Sequence, residues 1–221
     1  MRNITELLDR DEPALPLLRG WMDDSAGNGG TLLPPSDEVR ITTLVHLQVT
    51  TRSMLGTLAY ETGGVSVAGG LIRLLGSGVG RSLLQTAEIA GCPLNGGYPD
   101  VIVVGDDVLG GLFAINGGRF GANKQGNVFH LAADDTAWVS LGVGYTDFVA
   151  WCLTGELDHL YGPLAGIDAY KARPRPAFEA TYSFYPFLWT REATNGKPDV
   201  RVIGADECLR LRLELFGFAI S

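Results

Sequence analysis

The sequence predicts an α+β fold, a mostly antiparallel sheet flanked by helices. Three observations carry that expectation. Short apolar runs separated by glycine- and aspartate-rich turns fill residues 63–139, the texture of strands joined by hairpins. Helical spacing of apolar residues lies near the two ends and in one amphipathic stretch from Tyr145 to Thr154. The strands come as a run and do not alternate with helices, which argues against βαβ units. A chain of 221 residues, 46% hydrophobic and 19% charged, fits one α+β domain spanning 1–221, with 1–62 as a mainly helical N-terminal section packed on it. Such a chain buries roughly 70% of its unfolded surface and needs neither disulfide nor metal to hold a core.

In chain order, Ile4, Leu7 and Leu8 recur at helical spacing, and Pro13 opens a second short helix carrying Leu17, Leu18 and Trp21. Gly27–Gly30 and Pro34-Pro35 read as a linker. Ser36-Asp37-Glu38 starts a helix over Val39–Val49, its acids at the positive dipole end. The β-branched residues there leave a strand as the alternative. Strands are expected over Val65–Val67, Leu71–Leu75, Val101–Val104, Leu112–Ile115, Val128–Leu131 and Thr136–Val139. Asn116-Gly117-Gly118 should turn a hairpin with positive φ angles, capped by the Asn116 side chain. Gly155 stops the amphipathic helix. Tyr182–Trp189 holds five aromatics in eight residues. Pro186 makes that stretch extended, buried against the sheet except for any portion that serves as a contact surface. Val200–Ile203 is a strand and Ala205–Leu215 the last helix.

Charge and composition narrow the function classes. With 17 basic and 25 acidic side chains, net −8, the chain lacks the basic face that nucleic acid or an anionic membrane requires. It has no apolar stretch of about 20 residues to span a membrane and no signal-peptide pattern, so a cytoplasmic location is expected. Residues 92–170 carry two basic and nine acidic side chains, either charges scattered over a surface or an acidic face for a basic partner. Cys92, Cys152 and Cys208 form no CxxC pair and read as reduced thiols. No metal ligand set and no cofactor are expected.

Gly76-Ser77-Gly78-Val79-Gly80-Arg81 could cradle an anion, but its spacing is neither GxGxxG nor GxxxxGK[ST], and a mobile surface loop is the plainer reading. His130, Asp134 and Asp135 fall near one turn. Paired carboxylates can divide acid and base roles, yet Asp-Asp also suits a turn by itself, and Asp106-Asp107 is read the same way. No serine stands in GxSxG. Arg52 and Glu61, nearly the only charges between Ile41 and Ile72, are expected to pair across a turn, with a partner contact as the alternative.

Val49-Thr-Thr-Arg-Ser53, Ala59-Tyr-Glu-Thr-Gly-Gly64, Arg73–Gly78, Gly110–Gly118, Asn127-Val-Phe129, Leu141–Tyr145 and Ser183–Thr190 together resemble the bacterial domain-of-unknown-function family 2625 across nearly the whole chain. That resemblance transfers no activity and no catalytic residue. Leu112–Gly118, Val128–Leu131 and Tyr145–Ala150 also resemble, over about forty residues, the SMI1/KNR4 (SUKH) superfamily. This second resemblance implies an α+β binding fold whose bacterial members include immunity proteins that neutralise toxins by binding them. The functional expectation is a non-enzymatic protein-binding module whose partner is another protein, such as a basic toxin domain. Its candidate contact residues are Arg52, Tyr60, Glu61, Asn116, Arg119, Phe120, Trp138 and Tyr145, with no catalytic or metal residue assigned. The alternatives are a hydrolase built on Glu61, His130, Asp134 or Asp135, and a small-ligand binder at Gly76–Arg81.

Overall fold

One seven-stranded antiparallel meander organises the chain, its strands lying in space in the order in which they occur in sequence. In the computed structural model, which describes residues 1–24, 26–161, 170 and 172–220, these are β1 (Gly30–Leu33), β2 (Gly64–Val67), β3 (Ile72–Leu75), β4 (Val101–Asp107), β5 (Leu112–Asn116), β6 (Asn127–Leu131) and β7 (Val139–Gly144). A second, two-stranded antiparallel sheet pairs β8 (Ala180–Tyr185) with β9 (Asp199–Gly204). The described helices are α1 (Ile4–Leu7), α2 (Leu15–Met22), α3 (Asp37–Leu47), α4 (Met54–Glu61), α5 (Leu83–Ile89), α6 (Tyr145–Thr154), α7 (Asp158–Tyr161), α8 (Arg191–Asn195) and α9 (Ala205–Phe216). The mixed architecture with an antiparallel sheet is the one the sequence predicts.

Side-chain caps fix several helix starts. Asn3 and Glu6 close a capping box on α1, Ser36 caps α3, Ser53 caps α4 and Ser82 caps α5. Each satisfies an orphan backbone amide and contributes about 1 kcal/mol. The Ser36 cap, with the Thr43 hydroxyl donating to the Val39 carbonyl one turn back, decides the Val39–Val49 ambiguity in favour of a helix.

Strands β3, β4 and β5 are buried along their whole length because the sheet is covered on both faces. Ile102, Val104 and Phe113 point into the main core with Leu18, Leu58 and Phe148 from α2, α4 and α6. Val101, Val103, Leu112 and Phe129 point the other way, into a smaller cluster with Phe120, Trp138 and Leu209 of α9.

Three segments differ from the sequence expectation. The Gly27–Pro35 linker contains β1, paired with β2 (Leu32 opposite Val65), and Asn28 ties it to the end of α6 by donating to the carbonyls of Cys152 and Gly155. Its pairing partner lies some thirty residues on, so no local pattern announces it. The strand expected at Thr136 begins only at Val139: the Asp135 carboxylate accepts from the Thr136 and Ala137 amides, and the Trp138 amide is bonded to the Ala219 carbonyl. Gly76–Arg81 is no mobile surface loop either. Only its tip, Val79 and Gly80, is outside, while Gly76, Ser77 and Arg81 are buried. The Ser77 amide donates to the Thr62 carbonyl, and Ser77 and Ser82 bridge the loop's base.

Candidate functional site

A buried cluster of charges forms where β3, β4, β8 and α9 meet. Arg73 and Asp106 face each other across the β3–β4 register and form a two-pronged ion pair, Nε to Oδ1 and Nη2 to Oδ2, both at 2.9 Å. Arg81 folds back from the glycine loop onto the same carboxylate, Nη2 to Oδ2 at 2.9 Å, and reaches towards Asp206 at the start of α9 at 3.7 Å. Arg73 also donates to the carbonyls of Asp107 and Ala180, the latter joining the small sheet to the large one. Burial removes these ions from water, and the dense bonding compensates. Arg81, offered by the sequence as a ligand for an anion, is therefore engaged inside the protein.

Asp107, next in the chain, serves a different purpose. Its Oδ1 accepts from the amides of Leu109 and Gly111, shaping the β4–β5 turn. Its Oδ2 stands 3.8 Å from Nε2 of His130 on β6. Burial pushes this carboxyl up, but His130 and the two amides together outweigh burial and hold it below its ordinary value. The His130 ring stacks on Phe113, centroids 4.6 Å apart. Gly111 leaves room for the pair, since a Cβ there would come 2.3 Å from the Asp107 Oδ2 and 3.0 Å from the His130 Nε2. His130 lines a cavity of about 180 Å³ together with Asp134, Asp135 and Tyr161. Arg212 of α9 braces the segment carrying the two aspartates by donating to the carbonyls of Ala132 and Asp135.

The second feature is a groove of about 420 Å³ between the small sheet and α9. The register puts Thr181 with Ile203, Ser183 with Arg201 and Tyr185 with Asp199 on one face of the hairpin, and Glu207 and Leu211 close the opposite wall. Tyr182 and Phe184, on the other face, are buried, whereas Tyr185 is 74% exposed. The aromatic segment thus divides as its sequence allows, part core and part surface. Beyond a cis Tyr185–Pro186 bond, Phe187 stacks on Trp189 at 4.5 Å and the Arg212 guanidinium lies 4.6 Å over the Trp189 ring. Tyr182 and Thr181 fasten β8 to the turn after β4 through the Val108 carbonyl.

The residues singled out from sequence do not converge on one site. Arg52 is exposed and pairs with Glu12, not with Glu61. The reason is the intervening α4, which carries residues at its two ends about 10 Å apart where a turn would have joined them. Tyr60 lies half-buried under the Arg40 guanidinium, 4.7 Å from the ring centre. Asn116 is fully buried, accepting from the amides of Gly118 and Phe120 and donating to the Gly121 carbonyl. Phe120 and Trp138 are core rings 5.3 Å apart, and Arg119 lies exposed over Phe218. Tyr145 is buried at the start of α6. Of the hydrolase set, His130, Asp134 and Asp135 share the cavity wall, and Glu61 is not among its lining residues. Asp107, read from the sequence as a turn residue, also faces His130, and Tyr161 of the cavity wall was not singled out because nothing in its local sequence sets it apart from a core residue.

The three cysteines are free. Burial pushes the Cys152 thiol well above its ordinary value, and burial followed by the Asp106 charge pushes Cys208 up to about 12. Neither is a thiolate nucleophile at neutral pH. Among the described residues no group of three or more His, Cys, Asp or Glu could hold a metal ion, and no helix is long and apolar enough to cross a membrane.

An α+β fold with a braced acidic cavity and an aromatic groove thus defines the structural class. The chain belongs to the family described as "Protein of unknown function DUF2625", whose model matches residues 4–205. It is 35% identical over 197 residues to the "Putative uncharacterized protein YbfG" of Escherichia coli K12, covering 86% of this chain and 87% of that one. It is 32% identical over 164 residues to an "Uncharacterized protein" of Haemophilus influenzae, covering 73% and 71% respectively.

Proposed function

We propose that this protein acts without catalysis, by binding another protein in the groove between the β8–β9 hairpin and α9. The observation that carries this reading is Tyr185, a large ring left 74% exposed beside Phe187, Ile203 and Leu211 and rimmed by Asp199, Arg201 and Glu207. Apolar anchors inside a charged rim are the anatomy of a protein interface. The net charge of −8 favours a basic partner, whose approach it would accelerate at low salt. The SUKH-like motifs of the sequence give a finer form of the same reading, in which the partner is a basic toxin domain neutralised by being bound.

The test is paired capture from the native cell with the wild-type chain and with Tyr185→Ser, followed by affinity measurement on whatever protein the wild type retains. An interface anchor removed in this way costs about 2 kcal/mol or more, roughly 30-fold in Kd, and association should slow as salt rises. Equal retention by both chains, or no protein retained by either, would overturn the proposal.

A further inference from the structure

The two strands of the small sheet differ in what lies along their outer edges. On β8 the Tyr182 amide donates to the Val108 carbonyl and the Ala180 carbonyl accepts from Arg73. Both residues therefore turn their backbone away from β9, towards the body of the protein. Along an antiparallel pair, facing residues alternate between those that bond to each other and those that bond outward. Tyr182 faces Val202 and Phe184 faces Val200, so Val200 and Val202 direct their N–H and C=O groups to the outer edge of β9. Among the described residues no third strand joins this sheet, and no backbone group is bonded to either valine on that side. Val202 is 58% exposed. An uncovered strand edge of this kind is a template for another strand.

The side chains along the edge select the occupant. Asp199 and Arg201 point to the groove face and Val200 and Val202 to the other. Asp199 and Arg201 are exposed, and neither forms an ion pair among the described residues. A second β9, laid antiparallel about a twofold axis at Val200, sets each Arg201 opposite Asp199 of the other copy, because the two residues flank the axis at equal distance. The facing valines exchange their outward N–H···O bonds, and their side chains form an apolar cross-strand pair on the other face. Centring the axis on Arg201 instead sets arginine against arginine, a like-charge pair that destabilises, so charge fixes the register. The net charge of −8 on each copy opposes association, but salt at physiological strength screens it beyond about 8 Å, and the contact itself matches each acid with a base.

We propose that this protein forms a twofold dimer through the outer edge of β9, a four-stranded antiparallel sheet with an Arg201–Asp199 pair on either side of the axis. The contact is isologous, each copy giving and receiving the same pair. It uses the edge of the strand and leaves the two grooves side by side on one face of the joined sheet, so it stands whether or not another protein binds there.

Sedimentation equilibrium of the full chain at physiological salt tests this directly. A range from about 5 µM to about 500 µM suits an interface of a few strand residues, whose affinity is modest. The mass should rise with concentration from that of one chain towards that of two. Arg201→Asp sets acid against acid across the axis and should weaken association about tenfold or more. Combining it with Asp199→Arg restores opposite charges across the axis, and the double variant should regain wild-type association. Both side chains are exposed, so neither exchange disturbs the core. A wild-type chain that stays monomeric throughout would overturn the proposal. So would association that Arg201→Asp leaves unchanged, which places the contact elsewhere on the molecule. A folded double variant that associates as weakly as the single one would overturn it too, because Arg201 would then serve a partner other than a second copy.

Discussion

A single carboxylate, Asp106, holds two arginines inside the protein, and its removal leaves both guanidinium groups buried without their counter-ion. Breaking a buried pair from one side is far costlier than replacing the whole set, because the orphaned charge keeps its desolvation penalty. Asp106→Ala is expected to lower the unfolding free energy by roughly 3–5 kcal/mol, read as a fall in the urea midpoint at unchanged slope. A loss below about 1 kcal/mol would mean that water reaches the arginines and that the cluster is not a structural clasp. Asp106-Asp107 also marks where sequence reading stops at this scale. Turn chemistry is the correct reading for Asp107, which accepts from the amides of Leu109 and Gly111. The same dipeptide logic fails for Asp106, whose side chain points into a pairing with Arg73, thirty-three positions earlier.

Between β5 and β6 the connection is a ten-residue loop held by the buried Asn116, so the capping expected from Asn-Gly-Gly is present on a longer turn. The reason for glycine at position 117 differs from the expected one. Positive φ falls at Gly118, with φ 145°, whereas Gly117 is small because a Cβ there would stand 1.9 Å from the Pro99 carbonyl oxygen. The contact is with backbone, at the entrance to β4, and no side-chain rotation relieves it. Gly117→Val is therefore expected to cost about 1–3 kcal/mol by forcing β4 and the loop apart, with a lower Tm and faster exchange of the Gly117 amide, now bonded to the Asp100 carbonyl. An unchanged Tm would contradict the close approach. Elements with a local signature were legible in this way: the Ser36 start of α3, and the apolar run Val101–Val104 between turn residues, which lies in β4. β1 was not, because a four-residue strand at a sheet edge is defined by its partner and carries little pattern of its own.

For the molecule as a whole, the meander was readable because each strand pairs with the next, which makes its topology a local property of the sequence. The cavity was not readable, because its wall joins the chain near residue 130 to α7, and the carboxylate that faces His130 comes from β4. The sequence reading grouped His130 with Asp134 and Asp135 by proximity and left out Asp107 and Tyr161. That long-range grouping has a measurable consequence for acid stability. Asp107 has an ordinary carboxyl value of 3.8 in the unfolded chain and a lower one when folded, so the unfolded state takes up its proton first as pH falls. Its stabilising contribution is complete above about pH 5, begins to fall as pH approaches the unfolded value, and is lost once pH passes below the folded one. Asp107→Asn keeps an oxygen able to accept from Leu109 and Gly111 but removes the charge facing His130. Urea unfolding at pH 7, 5, 4 and 3 should show the variant less stable than wild type at neutral pH, with the difference shrinking below pH 4. A gap that stays constant across the series would mean that the folded state does not lower the Asp107 pKa, and a gap that widens in acid would reverse the sign of the coupling.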